Sequence, residues 1–115
     1  MSEYTVDPED AKIVTLARST RARNGASEGA AVRDETGRTY TASTVALPSL
    51  ELSALRTAVA MAVAGGARGL EAAAIVGDAD AVTDADRAAV GDLGGVGTPI
   101  LLAGPDAVVR AVTNA

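Results

Sequence analysis

The chain contains 115 residues, of which 15 are acidic and 10 are basic, so its formal net charge at pH 7 is −5. It has neither His nor Cys, and its aromatic residues are Tyr4 and Tyr40. This composition excludes disulfides, thiolate chemistry and the imidazole and thiolate ligands that zinc prefers. It also argues against a nucleic-acid partner, because such proteins use basic patches and aromatic stacking. A chain of this length is expected to form one domain over residues 1–115.

The first ten residues are polar and acidic, without a basic segment that precedes an apolar one. The sequence therefore predicts no secretory signal. The apolar stretch 54–64 is interrupted by Arg56 and followed by Gly65, which makes it too short to cross a bilayer. We expect a cytoplasmic protein that has no membrane partner.

The first predicted helix begins after Asp7, an N-cap acceptor that is followed by Pro8. It ends at Asn24 and Gly25, because these residues favour a left-handed C-cap. Strands are predicted next at residues 27–32 and 38–47, separated by a turn that carries Gly37. The two strands are predicted to pair as a hairpin.

A second helix is predicted to follow this hairpin. Pro48 ends the second strand and Ser49 provides an N-cap. Apolar residues then recur at helical spacing from Leu52 until Gly65. Small residues fill the other faces, so we expect this helix to be largely buried.

Strands and a short helix complete the prediction. Strands are predicted at residues 70–76, 98–103 and 107–113, and a helix that is capped by Thr83 ends near Gly91. The resulting order is α-β-β-α-β-α-β-β. It predicts an α/β domain in which helices cover both faces of one mixed sheet.

Several short strings resemble a known family in their sequence and spacing. They are Gly29-Ala30-Ala31-Val32, Arg38-Thr39-Tyr40-Thr41, Arg56-Thr57-Ala58 and Thr98-Pro99-Ile100-Leu101-Leu102-Ala103. These strings resemble the small cytidine deaminases. The resemblance implies a three-layer α/β/α sandwich with a mixed five-stranded sheet. It also implies a homo-oligomer, most commonly a tetramer.

The resemblance further indicates where the chemistry of that family would lie. In the family, zinc generates a hydroxide that attacks C4 of cytosine while a Glu transfers protons. The family string Cys-Ala-Glu-Arg-Thr-Ala aligns with residues 53–58, which puts Ser53 at a zinc ligand and Leu55 at the catalytic Glu. The second motif, Pro-Cys-x-x-Cys-Arg, aligns with residues 82–87 and puts Thr83 and Asp86 at the other two ligands. The sequence therefore predicts no metal ligand, no catalytic residue and no cofactor.

Residues that recognise the nucleoside are also changed. The Asn-x-Glu that holds the ribose in the family aligns with residues 42–44, where this chain has Ala42 and Thr44. Arg56 persists from the first motif, but the thiolate charge that it pairs with in the family is missing here, so we favour its interpretation as an ordinary helix-surface or interface arginine. The predicted vestigial pocket consists of Ala42, Thr44, Ser53, Leu55, Arg56, Thr83, Asp86 and Arg87.

Three hypotheses for function follow. The first is a cytidine deaminase-like domain that lacks zinc-dependent deamination and is retained for self-assembly, for pairing with an active deaminase, or for binding a small nucleoside-like ligand. The second is an enzyme, such as a nucleoside-related hydrolase, whose zinc-independent acid–base chemistry uses Asp78, Asp80, Asp84 and Asp86. The third is a deaminase that borrows zinc ligands from neighbouring subunits. Because this chain has no His or Cys, only a hetero-oligomer could supply them.

Overall fold

A computed structural model describes residues 4–115 of the chain. Its elements, in chain order, are α1 (Pro8–Asn24), β1 (Glu28–Asp34), β2 (Thr39–Ser43), β3 (Val45–Leu47), β4 (Leu50–Leu52), α2 (Ala54–Ala64), β5 (Leu70–Gly77), α3 (Asp84–Gly94), β6 (Pro99–Ala103) and β7 (Val109–Asn114). Within these residues, no helix is both long enough and apolar enough to traverse a membrane.

The main sheet has five strands in the order β2-β1-β5-β6-β7. Strands β5 and β6 are parallel, and the other neighbouring pairs are antiparallel. This arrangement confirms the predicted mixed five-stranded sheet. The parallel pair is possible because α3 forms the crossover between β5 and β6.

The sheet is covered on both faces, as predicted. On one face, Ile13, Val14 and Ala17 of α1 pack into a core cluster with residues of β1, β5, β6 and β7. On the other face, α2 and α3 contribute residues such as Leu55 and Val90 to a second cluster. The result is the three-layer α/β/α arrangement.

The ends of α1 are formed as the sequence predicts. Asp7 accepts a hydrogen bond from the Glu9 backbone N–H at 2.8 Å, and Gly25 adopts the left-handed conformation with φ of 59°. Strand β1 passes very close beneath this helix. A Cβ atom at Gly29 would collide with the carbonyl oxygen of Ala17, so this position requires glycine.

The predicted course of residues 43–53 is wrong. The second strand of the main sheet ends at Ser43 and is followed by a small β3–β4 hairpin whose tip is Pro48 and Ser49. Ser49 therefore does not cap a helix, and Leu52 belongs to a strand. Helix α2 begins after Ser53, whose side chain accepts from the Arg56 backbone N–H. Pro48 ends β3 by starting a tight turn instead of a helix.

Two smaller boundaries also differ from the prediction. Helix α3 continues to Gly94, beyond the predicted end near Gly91. The last strand begins at Val109 instead of residue 107, because Ala107 has a φ of 66° and lies in a turn. Neither difference changes the topology.

Candidate functional site

The N-termini of α2 and α3 meet at one partly buried hydrogen bond between side chains. The Ser53 hydroxyl donates to Oδ1 of Asp86 at 2.5 Å, although the two residues are separated by 33 positions in the sequence. The same Ser53 oxygen accepts from the Arg56 backbone N–H at 3.1 Å and so caps α2. Thr83 caps α3 in the same way, because its Oγ1 accepts from the Asp86 backbone N–H at 3.2 Å. We call Ser53, Thr83 and Asp86 the helix-end cluster.

Asp86 is only 3% exposed, so its carboxylate has little contact with solvent. Burial of a charged carboxylate is unfavourable unless donors or positive potential compensate for it. Here the Ser53 hydroxyl provides a donor. The N-terminal ends of α2 and α3 provide positive potential from their unpaired backbone N–H groups.

A further carboxyl group, which sequence reasoning missed, lies near this cluster. Glu28 begins β1, and its pKa is raised above the ordinary value, first by burial and then by the negative charge of Asp86. Its backbone N–H donates to Oγ1 of Thr44 at 3.2 Å, which fixes the start of the strand. Nothing in the sequence around Glu28 marks it, because an acid at the start of a strand is common on protein surfaces.

The structure brings together only part of the predicted vestigial pocket. The side chains of Ser53 and Asp86 are in contact, and Thr83 contacts the backbone of Asp86. Ala42 and Leu55 are buried in the hydrophobic core, and Leu55 is 0% exposed. Leu55 therefore fills space in the core and does not line an open site.

The three other predicted residues have separate surroundings. Thr44 lies just beyond β2 and contacts Ser27 and Glu28. Arg56 and Arg87 are exposed at the surface, and the Arg87 guanidinium lies 3.9 Å from Asp84. Arg87 also borders a cavity of about 220 Å³ with Asp80, Leu102 and Thr113. This cavity has Arg87 as its single residue in common with the predicted pocket.

The acids proposed for zinc-independent catalysis do not converge. Asp86 is buried, whereas the side chain of Asp84 is fully exposed and that of Asp78 is 85% exposed. Asp78 lies 3.9 Å from Arg21 of α1. An acid–base pair must reach the same substrate atoms, and these acids differ in their burial and in their ion-pair partners.

The helix-end cluster does not fit a zinc ion. It offers one carboxylate and two neutral hydroxyls, whereas zinc in proteins is held by imidazole, thiolate and carboxylate ligands. The hydroxyls are also engaged in the hydrogen bonds described above. Within residues 4–115, no group of three or more acidic, His or Cys side chains is placed to hold a metal ion.

Comparisons with known proteins agree with this fold. Among solved structures, the chain resembles cytidine deaminase from Burkholderia pseudomallei, with a TM-score of 0.78, 27% identity and 90% coverage of both chains. It also resembles cytidine deaminase from Mycobacterium tuberculosis, with a TM-score of 0.62, 25% identity, and coverage of 75% of this chain and 81% of that one. The cytidine deaminase from Mycobacterium leprae is similar with a TM-score of 0.70 and 23% identity, and the alignment covers 90% of both chains. At this identity, the similarity supports the fold alone.

A search of curated protein sequences finds no match to the chain. A family model provides the more extensive sequence match. The model described as cytidine deaminase-like matches residues 6–107, which include every element from α1 to β6. Together with the layer order and the convergence of the helix-end cluster, this match shows that the chain belongs to the cytidine deaminase-like family.

Proposed function

We propose that this chain is a single cytidine deaminase-like domain that does not perform zinc-dependent deamination and instead serves in assembly or in binding a small nucleoside-like ligand. One observation carries the proposal. The Ser53–Asp86 hydrogen bond and the buried Leu55 occupy the positions that the family alignment gives to zinc ligands and to the proton-transferring Glu. A cytoplasmic location stays a prediction.

The chemistry of deamination supports this proposal. Attack on C4 of cytosine needs a hydroxide, which zinc supplies near neutral pH by lowering the pKa of bound water. A carboxylate must then move protons to the ring and to the leaving ammonia. Leu55 has no ionisable group, and the helix-end cluster lacks a ligand set that suits zinc. Both parts of the reaction are therefore without a residue to perform them.

Two measurements test the catalytic part of the proposal. The purified chain is incubated with cytidine, and ammonia release is compared with that of a control without protein and that of the cytidine deaminase from Burkholderia pseudomallei. The zinc content of the same sample is measured by atomic emission. We expect ammonia at the level of the protein-free control and far less than one zinc per chain. Deamination above that control would overturn the proposal.

The assembly part of the proposal is supported by exposed apolar side chains. Leu47 and Leu50 flank the tip of the β3–β4 hairpin, and Leu47 is 57% exposed. Val63 on α2 is 54% exposed, and Met61 beside it is also exposed. Large exposed apolar areas are unusual on monomers and indicate contact surfaces. We propose a homo-oligomer, a tetramer of identical chains, with these exposed side chains at its interfaces.

The buried alanines of α2 cannot form that interface. Ala58 and Ala62 are each 0% exposed, because they pack in the core cluster of their own chain. Arg at either position would disrupt the core. Val63→Arg is the appropriate test, and Val96→Arg is its matched control, because Val96 is 82% exposed in the loop between α3 and β6.

Light scattering at micromolar concentrations measures the assembly. For the unmodified chain and for Val96→Arg, we expect a mass of about four times the 11.4 kDa of one chain. Val63→Arg should lower the mass while its far-ultraviolet circular dichroism stays the same. A mass near 11.4 kDa for the unmodified chain would contradict self-assembly. The remaining proposed roles would then be the binding of a small ligand and pairing with an active deaminase.

A further inference from the structure

From the mismatch between the helix-end cluster and zinc, we infer that the Ser53–Asp86 hydrogen bond fastens α2 to α3 in place of a metal ion, so that this domain completes its fold without one. The inference concerns stability, and it depends on the geometry of the cluster. It does not require the proposed loss of deamination.

The position of the bond supports this role. Ser53 immediately precedes α2, and Asp86 lies in the first turn of α3, so the bond joins the starts of two helices. Farther along, the buried residues of both helices are apolar, and van der Waals contact holds them against the sheet. A hydrogen bond to a carboxylate is stronger and more directional than such contacts. It therefore determines how the two helix ends meet.

The hydrogen bonds of the two hydroxyls give a second argument. Ser53 uses its hydrogen for Asp86 and accepts the Arg56 backbone N–H with its oxygen. Thr83 accepts the backbone N–H of Asp86. A metal ion would have to break the first of these bonds and compete with the two caps. Both hydroxyl oxygens are therefore engaged in capping, and Ser53 has already used its hydrogen on Asp86, so a cation would gain little from either hydroxyl.

Glu28 is the group that could oppose this inference. Its carboxyl is half-buried, and Asp86 acts on it electrostatically. Two neighbouring carboxyl groups could attract a hard cation such as Ca²⁺ or Mg²⁺, which prefers oxygen ligands. Metal titration must for this reason include these ions as well as zinc.

The first experiment measures the thermal midpoint of the full chain by circular dichroism with EDTA, ZnCl₂, CaCl₂ or MgCl₂. We expect the four midpoints to agree within about 1 °C, since a ligand that binds only the folded state would raise the midpoint. A midpoint that zinc raises and EDTA lowers would overturn the inference. If such a sample released no ammonia from cytidine, the proposed absence of deamination would still stand, so the two failures can be distinguished.

The second experiment is a double-mutant cycle on the hydrogen bond. Ser53→Ala and Asp86→Ala should each lower the midpoint by on the order of 10 °C. The double variant should lose much less than the two single losses together, because either change already breaks the bond. Additive losses would overturn the inference. Should Asp86→Ala not fold, Asp86→Asn takes its place in the cycle; its amide oxygen is a weaker acceptor, so the same non-additivity is expected at smaller size.

A matched control separates the bond between helices from helix capping. Thr83→Ala removes the cap of α3, as Ser53→Ala removes that of α2, but Thr83 contacts only the backbone of Asp86 in this cluster. Thr83→Ala and Asp86→Ala should therefore be additive in their effects on the midpoint. Equal coupling in both cycles would show that capping alone accounts for the result, and would overturn the fastening role.

Discussion

Replacement of Leu55 by Glu is the most direct test of how this domain differs from a zinc deaminase. The alignment gives position 55 to the catalytic Glu, but here the side chain is 0% exposed in the core cluster that includes Ile75 and Ile100. Loss of the buried leucine alone removes about 2 kcal/mol of stability. A carboxyl group introduced there must in addition be desolvated or protonated.

The cost of keeping the introduced carboxyl neutral follows from the ordinary pKa of Glu, about 4.3. Holding such a carboxyl neutral at pH 7 costs about 4 kcal/mol, at about 1.4 kcal/mol for each pH unit. Together with the lost burial, Leu55→Glu should destabilise the fold by about 6 kcal/mol. This is comparable to the whole stability of many domains, which is about 5–15 kcal/mol.

The loss should depend on pH in a defined direction. Because the introduced carboxyl would have a raised pKa in the folded state, the cost of keeping it neutral is absent below the ordinary pKa and grows as pH rises from the ordinary pKa toward the folded one. Leu55→Glu should therefore recover about 3 kcal/mol between pH 7 and pH 5. Urea unfolding at both pH values measures this.

Two control variants separate charge from volume and polarity. Leu55→Met keeps the apolar volume and should lose less than about 1.5 kcal/mol. Leu55→Gln is polar but not ionisable, so its loss should not change between pH 5 and pH 7. If Leu55→Glu and Leu55→Met unfolded at the same urea concentration at both pH values, position 55 would be hydrated and our description of it as core would be refuted.

Two more predictions concern β1 and each has a matched control. Gly29→Ala should lower the free energy of unfolding by on the order of 3 kcal/mol, because the added Cβ would collide with the Ala17 carbonyl oxygen. Gly97→Ala is the control and should change the thermal midpoint little, because the space around Gly97 is open. Similar midpoints for the two variants would contradict the close approach of α1 to the sheet. Burial and a neighbouring negative charge raise the pKa of Glu28, so the stability of Glu28→Gln relative to the unmodified chain should increase as pH rises from about 4.5. Glu51 is exposed, so Glu51→Gln should show no such trend. If the stability difference between Glu28→Gln and the unmodified chain did not change with pH, the raised pKa of Glu28 would be refuted.

The parts of the fold that the sequence predicts are those that local chemistry determines. Asp7 followed by Pro8 is typical of a helix start, and Asn24 followed by Gly25 is typical of a helix end. Both ends of α1 could therefore be predicted. The β3–β4 hairpin could not be placed in the same way. Ser49 and Ser53 are both suitable N-caps one helical turn apart, and Leu52 fits either a strand or a helix. Tertiary pairing of β3 with β4, which local patterns do not contain, decides between them.

The candidate site shows a similar division. Periodicity alone cannot relate Ser53 to Asp86, which are separated by 33 positions, and the family resemblance supplied their proximity. The resemblance could not indicate Glu28, because its effect depends on burial and on the orientation of Asp86. It also could not show that Leu55 belongs to the core instead of a pocket wall. Both properties depend on the packing of three layers.

The pattern of replacements in the cluster follows from what each position must satisfy. Ser53 and Thr83 immediately precede helices, where backbone N–H groups need an acceptor whether or not a metal is bound. Oxygen-bearing side chains are therefore favoured at both positions. Leu55 is already within α2 and faces the core, where a carboxylate without a charged partner would be unfavourable and a hydrocarbon is stabilising. At Asp86, two helix N-termini and a hydroxyl compensate for the burial of a carboxylate. The same reasoning predicts that Thr83→Val, which removes the acceptor but keeps the shape of the side chain, should destabilise the fold by about 1 kcal/mol. Thr83→Ser keeps the acceptor and should be nearly neutral. Equal unfolding midpoints for these two variants would contradict the need for an oxygen acceptor at the start of α3.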